Sequence, residues 1–131
     1  MTARGRRSLA VFGASCLIAS LSLAGPPAKP RVTGLFSNMH WVEEAGDVYG
    51  YEVLISSTGD SYFAAFQEAQ GVPLPPVVAT VRVSGTTVEF EVPNSDGVRK
   101  FRGTVSGGAL TGMFQGSSEK LVLRRGKSYW Q

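Results

Sequence analysis

Cysteine and histidine are almost absent from this chain, which has one residue of each among its 131. Cys16 lies in an apolar run near the N-terminus, so a domain formed by the rest of the chain has no disulfide and no thiol nucleophile. His40 by itself does not make a zinc site, which takes several His or Cys ligands. We therefore expect no catalytic residue, no metal and no cofactor, and we interpret the protein as a non-enzyme.

Beyond its N-terminus the chain also lacks an excess of charge of either sign. The chain has thirteen Lys and Arg residues and ten Asp and Glu residues. Three of the thirteen, Arg4, Arg6 and Arg7, lie before the apolar run, and the remainder of the chain is neutral. Because nucleic-acid binding depends on a clustered basic face, we expect no nucleic-acid partner.

Long apolar runs are missing as well, with one exception between Leu9 and Leu23. This run follows a basic start and closes on Ser22-Leu23-Ala24, which is the order of a secretory signal with its small-residue cleavage site. It is short against the ~20 apolar residues of a membrane span. A lipoprotein anchored at Cys16 is the less favoured alternative, since Gly13 stands where a branched apolar residue is expected.

Three regions follow from this pattern. Residues 1–24 are predicted to be a signal peptide, residues 25–31 a proline-rich linker, and residues 32–131 a single domain. The predicted location is periplasmic or extracellular, with no stable membrane insertion after cleavage.

The predicted domain consists of short runs of alternating apolar residues separated by turn residues, which is typical of β-strands. Strands that follow one another through tight turns are antiparallel neighbours, and a meander of about eight strands removes its edges by closing into a barrel. The fold class is therefore all-β, a small antiparallel up-and-down barrel. The predicted strands are 32–38, 48–57, 61–70, 77–84, 87–92, 98–106, 109–114 and 121–125.

The run from Ser61 to Gln70 allows a second interpretation. Tyr62, Phe66 and Ala69 recur at a spacing that also suits a helix. We favour a strand, because a hairpin turn precedes the run and its aromatic content suits a sheet. A short helix over the mouth of a smaller barrel is the alternative.

Short segments of the chain resemble the exported meander barrels of the calycin type, the class that contains lipocalins and avidins. They are Gly34-Leu35-Phe36, Phe101-Arg102-Gly103 and Leu110-Thr111-Gly112-Met113-Phe114, followed by Leu121-Val122-Leu123-Arg124. The resemblance implies a barrel with a small ligand in its lumen. The domain is shorter than a typical lipocalin, which implies less room for that ligand.

The candidate ligand-binding residues are the aromatic ones that the barrel would place inside, with two charged residues as polar anchors. If Val48 and Leu54 point inward, Glu52 is inside the barrel and Arg99 is a plausible partner for it. If Tyr49, Tyr51 and Ile55 point inward instead, Glu52 faces water. The full candidate set is Glu52, Phe66, Phe90, Arg99, Phe101 and Phe114.

Two further segments are candidates for contact with a protein. The predicted loop 71–76 holds apolar residues stiffly between prolines, which suits recognition because little entropy is lost on contact. Its candidate contact residues are Val72, Pro73, Leu74 and Pro75. The aromatic tail around Tyr129 and Trp130 is expected to cover the open bottom of the barrel or to dock on a partner.

The function that these features favour is an exported binding module for a small apolar molecule in a narrow lumen. The alternative is a protein-interaction module, an inhibitor of an exported enzyme or an envelope assembly subunit, that acts through the 71–76 loop.

Overall fold

The computed structural model of the protein describes Gly25 and residues 31–131. The predicted signal segment 1–24 and the linker residues 26–30 lie outside the described residues, so these two predictions stay predictions. Within the described residues the chain forms β-strands and no helix. Accordingly, nothing in that part of the chain is a helix long and apolar enough to cross a bilayer.

The described residues form nine strands connected mostly by tight turns. In chain order they are β1 (Gly34–Ser37), β2 (His40–Val42), β3 (Asp47–Ser57), β4 (Tyr62–Pro73), β5 (Val77–Ser84), β6 (Thr87–Asn94), β7 (Gly97–Ser106), β8 (Ala109–Phe114) and β9 (Leu121–Arg125).

The sheet closes on itself because β1 pairs on one side with β3 and on the other with β9. From β3 to β9 each strand pairs antiparallel with the next in the chain, so the closed ring contains eight strands. The extra strand, β2, continues along the edge of β3 beyond the end of β1. The predicted all-β meander barrel of eight strands is confirmed.

The first predicted strand, 32–38, is shorter in the structure and is followed by a break before β2. At this break the Asn38 amide donates to the Tyr51 carbonyl at 3.0 Å, and the Tyr51 amide donates to Asn38 Oδ1 at 2.7 Å. The side-chain oxygen of Asn38 thus takes the place of a backbone acceptor in the sheet. Gly50 lies opposite with a φ of 117°, and a Cβ there would come within 2.7 Å of the Asn38 carbonyl oxygen. Only glycine fits this position.

The segment with two interpretations, 61–70, is a strand. It belongs to β4, which pairs with β3 from Tyr62 through Gly71 and with β5 from Tyr62 through Phe66. The pairing with β3 and β5 therefore makes this segment a strand, although the spacing of its apolar residues also suits a helix. Strand β4 continues to Pro73, so the connection predicted at 71–76 is reduced to residues 74–76.

The core is the inside of the barrel, where the buried apolar residues alternate with outward-facing ones along the strands of the ring. The residues with essentially no exposure include Phe36, Val53, Ile55, Val88, Val92, Leu110 and Leu123. A smaller apolar cluster lies on the outer face, where Met39, Val48 and Ala69 pack with the half-buried Tyr129 of the C-terminal tail.

Phe101 occupies space that two interior glycines leave open. Gly103 and Gly112 are register partners on β7 and β8. A Cβ on Gly103 would come within 2.8 Å of the Phe101 ring, and one on Gly112 within 2.7 Å of it. The space that Gly103 and Gly112 leave inside the barrel is therefore filled by the Phe101 ring.

We expect Phe101→Ala to lower the free energy of unfolding by about 3–5 kcal/mol, because the truncation leaves a cavity above two glycines that have no side chain to fill it. Urea unfolding followed by circular dichroism measures the effect. The matched control is Val98→Ala on the same strand, where the side chain is 60% exposed and the expected change is within ~0.5 kcal/mol. A loss below about 1 kcal/mol for Phe101→Ala would contradict the packing.

Candidate functional site

One open end of the barrel carries a group of polar and aromatic side chains, and we call this end the mouth. It is the end at which β3, β7 and β9 begin and at which β4, β6 and β8 terminate. Because side chains alternate between the two faces of a strand, Tyr51, Glu68 and Arg99 share the inward face with the buried Phe66 and Phe101.

The four phenylalanines of the predicted lumen do lie together inside the barrel. The ring centroids of Phe90 and Phe101 are 4.9 Å apart, and those of Phe101 and Phe114 are 5.4 Å apart. Phe66 closes the group at 5.9 Å from Phe114 and 6.0 Å from Phe90. Their mutual packing fills this part of the lumen, and their role in binding a ligand stays a prediction.

Arg99 lies at the mouth above this aromatic group, inside the barrel as the sequence suggested. Its guanidinium is 4.6 Å from the centroid of the Phe114 ring, a cation–π distance. Its Nη2 forms an ion pair with the Glu68 carboxylate, and the two side chains are 24% and 11% exposed. The partner of Arg99 is therefore Glu68, on β4, and not Glu52.

Glu52 lies on the outer face of the barrel, because Tyr51, Val53 and Ile55 are the residues of β3 that point inward. It is nevertheless only 8% exposed, since the C-terminal tail covers it. The Ser128 hydroxyl donates to Glu52 Oε1 at 2.6 Å, and the Tyr129 amide donates to Oε2 at 2.8 Å. Neither alternative for Glu52 is met, since it neither enters the lumen nor faces water.

The tail continues across the outer face and does not close the bottom of the barrel. Trp130 Nε1 donates to the side-chain oxygen of Gln67 at 2.8 Å, and the indole is 53% exposed. The Gln67 amide in turn donates to the Leu74 carbonyl at 2.9 Å. The tail and the 74–76 connection are thus held side by side through Gln67.

Two residues of the predicted protein-contact loop carry exposed apolar side chains. Val72 is 71% exposed and Leu74 is 54% exposed. Pro73 ends β4 and is half-buried, and Pro75 is exposed. Contact of these residues with a partner stays a prediction.

A cavity of about 430 Å³ opens at the mouth. Tyr51 and Phe114 supply aromatic wall, and the loop after β8 supplies the outer side. The polar groups on its lining include Asn94, Arg99, Ser117 and Glu119.

A larger concavity of about 1080 Å³ runs over β5 to β8. Its charged side chains already pair with one another, since Arg82 and Arg102 both contact Glu89 and Lys100 contacts Glu91 at 3.2 Å. We place the candidate site at the mouth, because Arg99 Nε, on a side chain that lines the mouth cavity, has no hydrogen-bond partner among the described residues.

The Tyr51 hydroxyl at the mouth is a weaker acid than an ordinary tyrosine side chain. Burial raises its pKa above the ordinary value of 10.0, and the negative charges of Glu68 and Glu119 raise the pKa further, against a smaller opposing effect of Arg99. Tyr51 is consequently a neutral hydrogen-bonding group.

Sequence reasoning missed Glu68, Ser117 and Glu119. The sequence does contain evidence for the position of Glu68. It alternates with Ala64 and Phe66, so it shares their inward face once the segment is taken as a strand. Ser117 and Glu119 lie in the loop after β8, where periodicity carries no information about position.

The described residues contain no group of three or more His, Cys, Asp or Glu side chains arranged to hold a metal ion. Comparison with known proteins finds no matching family model, no matching curated protein and no matching solved structure.

The ion pair at the mouth should contribute measurably to stability. We expect Glu68→Ala and Arg99→Ala each to lower the free energy of unfolding by at least about 1–3 kcal/mol, because each leaves a partly buried charge without its partner. The double variant should lose less than the sum of the two, which a double-mutant cycle by urea unfolding measures. The exposed pair Lys100 and Glu91 is the matched control, with an expected coupling below ~1 kcal/mol. Additive effects at the mouth would contradict the pair.

The raised pKa of Tyr51 predicts a pH dependence of stability. Folded Tyr51 keeps its proton to a higher pH than the unfolded chain does, so the stability it contributes is complete below pH 10 and is lost as the pH rises beyond that value. Tyr51→Phe should therefore flatten the decline of the free energy of unfolding above about pH 10. Urea unfolding over this range tests it, with Tyr49→Phe as control. An equal flattening in both variants would contradict the assignment to Tyr51.

Proposed function

We propose that this protein is a binding module that takes a small molecule at the mouth of its barrel. The observation that carries the proposal is the cavity of about 430 Å³ beside Arg99. Its volume falls within the range of about 300–1,000 Å³ that ligand pockets occupy.

The walls of this cavity combine aromatic surface from Tyr51 and Phe114 with several polar groups that can orient a ligand, among them Asn94, Arg99, Ser117 and Glu119. The apolar part of the ligand rests on Tyr51 and Phe114. Beneath Phe114 the rings of Phe66, Phe90 and Phe101 form a floor, so the ligand stays at the mouth unless these rings move.

The proposal includes the finer features that the sequence suggested. A meander barrel with a binding site at an open end agrees with the resemblance to calycin-type barrels. The secretory pattern of residues 1–24 supports an exported protein, periplasmic or extracellular. The near absence of histidine and cysteine supports binding without catalysis.

A second candidate function, contact with a protein partner, has its own observation. Trp130, held by its hydrogen bond to Gln67, lies beside the connection that exposes Leu74. Ordered and exposed aromatic side chains of this kind are common anchors in protein interfaces. The partner would be an exported protein.

A neutral, apolar fluorescent dye, N-phenyl-1-naphthylamine, tests the proposal on the full chain after removal of residues 1–24. We expect saturable fluorescence enhancement with one dye per barrel. Ser117→Tyr should weaken the dye's affinity by at least about tenfold, because the larger side chain occupies the cavity. Ser84→Tyr, at the opposite end of the barrel, should leave it unchanged.

The same dye separates the two candidate functions. If the mouth is the site, the double variant Leu74→Ser and Trp130→Ala binds the dye as the unmodified protein does. Binding that is lost in this double variant and kept in Ser117→Tyr would overturn the mouth and favour the outer surface.

A further inference from the structure

The polar groups around the cavity at the mouth restrict the charge of any ligand. Arg99 is neutralised by Glu68, and Glu119 on the loop after β8 adds a negative charge that nothing in the cavity lining balances. An anionic ligand would be repelled by Glu119. A neutral ligand does not meet this penalty, and the net negative charge of Glu68, Arg99 and Glu119 does not exclude a cation.

The same groups demand both kinds of hydrogen-bonding partner. Arg99 Nε is buried and has no hydrogen-bond partner among the described residues, so it needs an acceptor. The Glu119 carboxylate only accepts, so it needs a donor, while Asn94 and Ser117 do both. Hydroxyl groups are donors and acceptors at once, and several on one ligand satisfy all of these positions.

The aromatic wall gives the ligand an apolar face to pack on. The rings of Tyr51 and Phe114 lie 6.0 Å apart and are inclined by 50°. Arg99 occupies space above Phe114, which leaves Tyr51 as the more open ring. A ligand that suits the site therefore has hydroxyl groups at its edge and C–H groups on its face.

We propose that the ligand of the mouth is a polyhydroxylated molecule without a negative charge, of the kind represented by an uncharged sugar ring. This inference rests on the proposed binding function and names its ligand class. Tyr51 packs against the C–H face of the ring, Arg99 donates to a ring hydroxyl or ring oxygen, and Glu119 accepts from a hydroxyl at the outer edge. Because phenylalanine side chains fill the deeper lumen, only one sugar unit enters the mouth. That unit is either a single sugar or the terminal unit of a longer sugar chain.

Saturation-transfer NMR on the full chain after removal of residues 1–24 tests the ligand class. The probes are three neutral disaccharides, maltose, cellobiose and lactose, together with glucuronic acid and glucosamine as charged monosaccharides. We expect saturation transfer to at least one neutral sugar and weaker or no transfer to the anionic glucuronic acid, with glucosamine as the cationic comparison. Ser117→Tyr should reduce the affinity for that neutral sugar by at least about tenfold, and Ser84→Tyr should not.

Reversing the charge of Glu119, on the exposed loop, is a more specific test of the charge argument. Glu119→Lys should shift the preference toward glucuronic acid by at least about tenfold relative to glucosamine, because the repulsion of an anion is replaced by attraction. Glu119→Gln removes the charge and keeps an accepting oxygen, so it should reduce the discrimination against glucuronic acid without the preference for an anion that Glu119→Lys creates. Glu119 is exposed on a loop, so we expect neither change to disturb the barrel.

The outcomes separate the ligand class from the binding function. Dye binding at the mouth without transfer to any neutral sugar would overturn the sugar proposal and keep the binding module. Loss of both would overturn both. Glucuronic acid that binds the unmodified protein as well as the neutral sugars do would overturn the charge argument, and sugar binding that survives Ser117→Tyr would overturn the location.

Discussion

Closure of the sheet through β1 is the constraint on which the rest of the structure depends. This strand has four residues, and it pairs with β3 over its whole length but with β9 at only two positions. A seam with so few backbone hydrogen bonds needs other contacts. Arg125, the last residue of β9, supplies them, since its Nη1 donates to the Thr33 carbonyl and its Nη2 to the Arg31 carbonyl, both at 2.6 Å. Its guanidinium also lies 4.5 Å from the centroid of the Phe36 ring.

The C-terminal tail links the end of β9 to β3 and β4 on the outside of the barrel. After β9 the chain turns over β1, and its backbone and side chains reach Glu52 on β3 and Gln67 on β4. Glu52 and Gln67 are register partners, so the tail crosses the strands along one row of the outer face. A carboxylate that would otherwise be solvated is thereby buried with two hydrogen-bond donors, which offset the cost of removing it from water.

Once the barrel is closed, the inward face of each strand is determined, and this places the candidate site. The phenylalanines fill the middle of the lumen, while Tyr51, Glu68 and Arg99 lie where the packed rings end. Polar residues at this level are partly exposed and still partly removed from water, which strengthens their electrostatic interactions. The mouth is therefore a part of the barrel at which a charged pair is tolerated beside the packed aromatic rings.

Much of the fold follows from the sequence alone. Alternation with a period of two, glycine-rich turns and the absence of a long crossover predict an antiparallel meander barrel, and they predict the grouping of Phe66, Phe90, Phe101 and Phe114. These signals are local, because a strand and its turn are specified by residues close together in the chain. Arg99 could be placed in the lumen for the same reason, since it alternates with Phe101.

The sequence does not decide which face of β3 points inward, because both faces carry apolar residues. Val48 and Leu54 lie on one face, and Val53 and Ile55 lie on the other. Only the tertiary structure shows that Val48 is buried outside the barrel, against Met39 and Ala69 and beneath the tail. The partners of the two charged residues were likewise decided by the fold. Glu68 is 31 positions from Arg99 and Ser128 is 76 positions from Glu52, and contacts between residues so far apart depend on barrel closure, which no local pattern records.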